Sequence, residues 1–342
     1  MALKQQRGAA LLMVLLAMAL VSMMLTSLAL QSQRDITRLQ LQQQETQARF
    51  YAHGAEIIAQ RALTDIAVRR AALWWQTLAG QPLDYPTDEG TLRLVVEDQR
   101  RCFNINTLAA EEPELAQRQL LYWLANRTDT RMDDLTPGEF VARLTDWVDS
   151  NNIAREGGMD GADYARLDPP RLSADTAMRD ISELNWLAPL DTGRYRRFKA
   201  LCTLPDSRPW RLNLNSVGAD ELPLLDALFV GEVDRAVLAT LIKARPPGGY
   251  PSLDAVREVF GGDADWLDTY SNRITLTPDY LALHIRITLD GTPYYFYRQL
   301  LAEGTSAFQP LQPAARVQIL NRRNGYFAPQ ATLFSSSAVE PF

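Results

Sequence analysis

The sequence predicts an α+β protein. A long N-terminal helix, able to cross a membrane over its first part, packs on a small antiparallel sheet, and a large all-α domain is inserted into that sheet. Three observations predict it. Residues Ala9–Leu30 form one uncharged apolar run. Gln31–Gly80 contains no proline and is rich in Gln, Arg, Ala, Leu and Glu, which favour helix. Strand-type alternation falls in two separate places, at Thr91–Val96 and again after Tyr280, with helix-type sequence between them.

The apolar run is 22 residues, or about 33 Å of helix, enough to cross a hydrocarbon core. Lys4 and Arg7 precede it, and Gln31, Ser32, Gln33, Arg34 and Asp35 follow. That asymmetry orients the N-terminus to the cytoplasm and puts the bulk of the chain in the periplasm or outside the cell. A cleaved signal peptide has a shorter apolar core, although Ser27-Leu28-Ala29 offers a cleavage-like site. An uncleaved signal anchor fits the same span.

Beyond the span, Ile36, Leu39, Ala48, Ala52, Ala55 and Ala59 give the helix an apolar face. Leu63, Ile66, Leu73 and Trp74 extend it, and Gly80 and Pro82 end it. Thr91–Val96 is the first strand. Tyr280–Leu289 and Pro293–Leu301 form a hairpin through Asp290-Gly291. Ala315–Arg322 is the last strand, with Asn324-Gly325 as a turn signal, and Ser335–Phe342 is a frayed tail. Between the first strand and the hairpin, Glu114–Asn126, Pro137–Ser150 and Asp220–Ala244 are the clearest helices. The division is 1–8 leader, 9–30 membrane helix, 31–101 helix and first strand, 102–275 inserted helical domain, and 276–342 remaining strands and tail.

Composition narrows the function. The 342 residues carry a net charge of −6, which opposes generic binding to nucleic-acid phosphates. Cys102 and Cys202 are the two cysteines, and His53 and His284 the two histidines, too few for a structural zinc site. The cysteines are either one disulfide, if they lie outside the cytoplasm, or two buried thiols. No G-x-x-x-x-G-K-[ST] loop and no G-x-S-x-G elbow occurs. Neither histidine neighbours a nucleophile in sequence, so the chain reads as a non-enzyme.

Phe103-Asn104-Ile105-Asn106-Thr107-Leu108-Ala109 is echoed by Leu212-Asn213-Leu214-Asn215-Ser216-Val217-Gly218. The second copy leads into two helices and resembles a helix-hairpin-helix module, with Thr107 and Ser216 as expected N-caps. At the hairpin, Leu228–Asp234 has one glycine, Gly231, with the acids Glu232 and Asp234 close beside it, a poor cradle for phosphate. Scaffold use is the expectation, and a membrane-anchored DNA-uptake protein the alternative. A signal-anchored periplasmic enzyme is the third reading.

The leader Lys4-Gln5-Gln6-Arg7-Gly8, closing on glycine directly before an apolar helix, resembles the type IV prepilin signal. The resemblance implies a type IV pilin-like fold and cleavage by a prepilin peptidase between Gly8 and Ala9. Such pilins carry glutamate at the fifth mature position, where this chain has Met13. A missing glutamate, the large helical insertion and the F-N-I-N-x-L and N-x-N-[ST] phrases together resemble the K minor pseudopilins of type II secretion. That resemblance implies an inner-membrane subunit at the tip of a pseudopilus, assembled with the I and J minor pseudopilins, the other pseudopilins and the inner-membrane secretion platform. It implies partner contacts through Ile36 and Leu39.

The same family carries D-W-x-D-x-D, then G-x-E-D-x-Y, and binds calcium there. Asp146, Trp147, Asp149, Gly158, Asp163 and Tyr164 match. Asn151 stands in place of an acid and Asp160 in place of a glutamate, with less charge and less reach. The resemblance implies calcium at Asp149, Asn151, Asp160 and Asp163, since Ca²⁺ takes six to eight oxygens.

Overall fold

The computed structural model describes residues 5–65, 82–126, 135–187, 200–205, 208–260, 264–304, 306–308 and 314–325. Ile66, Leu73, Trp74, the expected helix end at Gly80 and the tail Ser335–Phe342 lie outside them.

Helix α1 (Gln5–Thr64) is continuous for 60 residues and contains a stretch long and apolar enough to cross a membrane. Within that stretch Thr26 and Ser27 donate to the carbonyls of Ser22 and Met24, at 2.8 and 2.9 Å. Their hydroxyls therefore need no partner from lipid. Further on, Ala48, Ala52, Ala55, Ala59 and Leu63 are buried against the sheet. Ile36 and Leu39, expected on that same face, are exposed instead. Nine residues separate Leu39 from Ala48, about two and a half turns, so the two lie on opposite sides of the helix.

Strand β1 (Leu83–Thr87) precedes β2 (Gly90–Asp98). Sequence reasoning missed β1: it contains Pro86, and its middle is exposed. Such a strand survives only at an edge, here with Asp84 gripping Arg93 at 2.6 and 2.8 Å.

The insertion follows. It comprises β3 (Phe103–Asn104), a 3₁₀ turn (Ile105–Ala109), α2 (Glu114–Ala125), α3 (Pro137–Val148), β4 (Leu201–Cys202) and β5 (Leu212–Asn213). Then come α4 (Leu222–Leu228), α5 (Arg235–Lys243), α6 (Leu253–Glu258), α7 (Asp265–Tyr270) and β6 (Ile274–Thr275). Thr136 and Glu139 close a capping box at the start of α3. The helix expected over Asp220–Ala244 is two, because Val230 and Gly231 turn the chain at φ +53° and +72°. One apolar cluster, including Phe103, Leu120, Trp123, Phe140, Trp147 and Phe229, fills the insertion.

The internal repeat is structural. β3 pairs parallel with β4, and β5 with β6. In each copy the first Asn accepts from the second: Asn104 Oδ1 from Asn106 N at 3.2 Å, Asn213 Oδ1 from Asn215 N at 3.0 Å. The second Asn then staples distant backbone. Asn106 binds both N and O of Met178 and the carbonyl of Leu204, while Asn215 binds both N and O of Tyr250 and the carbonyl of Leu276. The expected caps Thr107 and Ser216 are corrected: Asn104 caps the 3₁₀ turn Ile105–Ala109, and in the second copy Gly218 stands at the N-cap of the turn Ala219–Glu221, its amide held by Glu221 Oε2 at 2.7 Å. Both hydroxyls act as donors instead: Thr107 to the Asn104 carbonyl at 2.7 Å and Ser216 to Asp98 Oδ2 at 2.5 Å.

After the insertion come β7 (Tyr280–Leu289), β8 (Thr292–Glu303) and β9 (Arg316–Asn324). The sheet order is β1-β2-β7-β8-β9, antiparallel throughout. Asp290 and Gly291 make the β7–β8 turn at φ +46° and +80°, the left-handed pair that a two-residue hairpin demands. β2 pairs with β7 along its whole length, so the insertion leaves and re-enters the sheet at one end of one strand pair.

Candidate functional site: the outer face of the long helix and the acidic loop

The packed alanine face of α1 leaves its opposite side bare. Leu39, Phe50 and Ile57 are spaced by about three and two turns and so share one stripe. They are 60%, 72% and 52% exposed. Ile36, 53% exposed, flanks them. A row of exposed apolar side chains on one helix face is the surface that a second helix covers. Phe50 and Ile57 were not singled out from sequence, although their spacing to Leu39 was readable there.

Gly8 and Ala9 both lie inside α1, as does Met13, whose apolar side chain is exposed. Cys102, the residue before β3, and Cys202, the second residue of β4, are joined as a disulfide with a Cα separation of 5.8 Å.

Burial pushes the Asp98 carboxyl up, and Ser216, the Arg100 amide and Asn213 counter it only in part. Those three donors reach it at 2.5, 2.8 and 2.6 Å. Asp98 ends β2, and Asn213 and Ser216 belong to the second repeat, so this network is the joint between sheet and insertion.

The acidic loop follows α3. Arg155 places Nη1 between Asp146 Oδ1, at 2.7 Å, and Asp149 Oδ2. Burial still holds the Asp146 carboxyl above its ordinary value. Asp149 also accepts from Asn151 N at 3.3 Å, and Asn151 Oδ1 from Ile153 N at 3.0 Å. Asp160 and Asp163 close a capping box around the helical turn Gly161–Tyr164. Among the described residues no three His, Cys, Asp or Glu side chains are gathered as a metal shell. Asp149 and Asn151 are linked along the loop and Asp160 and Asp163 around the turn, and Asn152 Oδ1 joins the two segments by accepting from Gly161 N at 3.2 Å. One observation fits a cation: Asp160 Oδ2 and Tyr164 Oη are buried without a hydrogen-bond partner.

The hairpin between α4 and α5 offers nothing to phosphate. The amides of Phe229, Val230, Gly231 and Glu232 all donate within the turn. A Cβ on Gly231 would meet Tyr122 Oη at 2.6 Å, so the turn lies against α2. Asp234 caps α5.

A membrane-length helix laid by an alanine stripe on a small antiparallel sheet defines a pilin-type subunit, here enlarged by a helical insertion. Comparison with known proteins narrows the class. A family model described as type II secretion system protein K matches residues 101–206. The type II secretion system protein K of Pectobacterium carotovorum subsp. carotovorum is 31% identical over 271 residues, covering 74% of this chain and 80% of that protein. That of Klebsiella pneumoniae is 30% identical over 263 residues, covering 73% and 78%. A chain in the crystal structure of the GspK-GspI-GspJ complex from the enterotoxigenic Escherichia coli type 2 secretion system superposes with a TM-score of 0.64 at 21% identity, covering 85% of this chain and 100% of that one. The chain belongs to the type II secretion system protein K family.

Proposed function

We propose that the chain is a minor pseudopilin that starts and caps the pseudopilus of a type II secretion system, for export of folded proteins across the outer membrane. Its N-terminus faces the cytoplasm and its bulk the periplasm, and α1 is its single pass through the inner membrane. Prepilin peptidase removes Met1–Gly8 and leaves Ala9 first. The inner-membrane secretion platform then receives it together with the I and J minor pseudopilins and, below them, the other pseudopilins. The helical insertion blocks addition of a subunit above it. Its work is assembly, not catalysis.

The observation that carries this reading is the bare apolar stripe of α1, opposite a face already buried on the sheet. Family membership supports it. The test is co-purification of the detergent-solubilised full chain with I and J. Leu39→Asp and Ile36→Asp reduce recovery of both partners; unchanged recovery rejects the outer face as the contact.

Calcium belongs to the same proposal. Asp160, with its orphaned buried oxygen, and Asp163 hold the ion, with Asp149 and Asn151 as further donors. Bound there, the ion supplies a cross-link between the end of α3 and the turn at Gly161–Tyr164.

A further inference from the structure

Alanine makes a smooth contact. Ala48, Ala52, Ala55 and Ala59 let α1 approach the sheet closely, but methyl groups on an aliphatic sheet offer few knobs to fix rotation or sliding. One charged group interrupts this contact. Glu56 is 2% exposed, on the flank of the alanine stripe. Its Oε1 accepts from Arg298 Nε on β8, and its Oε2 from Arg322 Nη2 and Nε on β9, at 3.1 and 3.2 Å. Arg298 is itself buried. It is tied to backbone on both strands, donating from Nη1 to the carbonyls of Tyr297 at 2.8 Å and Arg323 at 3.0 Å. A β-bulge at Gln299/Leu300 lies directly beside it. One helix carboxylate is therefore met by two strands at one point, and any other register strands a buried charge, the costliest mismatch available there.

We propose that Glu56, through Arg298 and Arg322, is the positioning residue that fixes the axial register and rotation of α1 on the sheet. The consequence reaches the assembly surface. Rotation decides that Phe50 and Ile57 face outward, and register sets the body about 39 Å of helix beyond Leu30. The effect on the assembly surface rests on reading the outer stripe as the partner-binding face; the fixing of register and rotation does not.

The test is cysteine cross-linking in the full-length chain in membranes, where Cys102 and Cys202 are already paired. Gln60 Nε2 reaches the carbonyl of Val317 at 3.3 Å, so Gln60→Cys with Val317→Cys reports the native register. Thr64→Cys with Val317→Cys reports a shift of one turn. With Glu56 intact only the first pair closes. In Glu56→Gln the first loses yield and the second gains it. Glu56→Gln with Arg298→Gln strands no buried charge at this point from either residue, so it separates register from stability; it too closes both pairs. If either variant closes only the native pair, the proposal is overturned. If the cross-links shift while I and J still co-purify normally, register control stands and the partner-face reading fails.

Discussion

Arg100, just past β2, grips Asp279, the residue before β7, through two hydrogen bonds of 2.7 Å, Nε to Oδ1 and Nη2 to Oδ2. The Arg100 guanidinium also lies 4.9 Å from the centre of the Tyr280 ring. Entry to and exit from the insertion are thereby clamped to each other beside the buried Asp98. Asp279→Ala leaves Arg100, only 3% exposed at its side chain, without its carboxylate. It destabilises the chain by about 3 kcal/mol, measured by urea unfolding followed through tryptophan fluorescence.

Asp98→Asn destabilises although it removes a buried charge. The carboxylate accepts from three donors, and an amide turns an N–H₂ toward at least one of them. The loss is about 2 kcal/mol in the same unfolding measurement, and Asp98→Ala loses at least as much.

Acid acts on Glu56. Burial alone pushes its carboxyl up, but the hydrogen bonds of Arg298 and Arg322 and the charge of Arg298 outweigh that and bring it below its ordinary value of 4.5. Its stabilising contribution is complete above that ordinary value and is lost as pH falls through the depressed one. Unfolding free energy measured from pH 7 downward therefore drops in the wild type below about pH 4.5. The drop is shallower in Glu56→Gln, which has already lost the contribution.

The Cys102–Cys202 bridge has a sequence separation of 100. Replacing both with serine costs about 4.7 kcal/mol on the chain-entropy account, read as a lower urea midpoint. Reductant lowers the midpoint of the wild type and leaves that of the variant unchanged.

Calcium raises the thermal midpoint of the wild type, and chelator reverses the rise. The gain approaches about 2.7 kcal/mol when the ion is at 100 times its dissociation constant. Asp160→Asn loses the response. Arg155→Ala strengthens it by freeing Asp146 and Asp149 from the guanidinium. A midpoint indifferent to calcium and chelator contradicts the calcium proposal.

Local signals carried far in this chain. The Asp290-Gly291 turn and its flanking strands were legible because hairpin pairing is short-range and the turn demands left-handed residues. The membrane-length run was legible by length alone. The repeat was visible as a phrase, but its mechanics were not: Asn106 and Asn215 act on backbone 72 and 35 residues away. Thr107 and Ser216 misled because a hydroxyl at a cap position donates as readily as it accepts. β1 escaped because Pro86 argues against a strand wherever the edge position is unknown. Arg155 was unforeseen at the acidic loop because a cation supplied by the loop itself leaves no mark in the spacing of acids. The Glu56–Arg298 pair spans 242 residues, and nothing local to either residue announces the other.

The most direct measurement is the intact mass of the protein recovered from membranes of cells with and without prepilin peptidase. Loss of Met1–Gly8 only where the peptidase is present, leaving Ala9 as the first residue, is the predicted result. An identical uncut mass in both cells, or a cut near residue 30, contradicts the account.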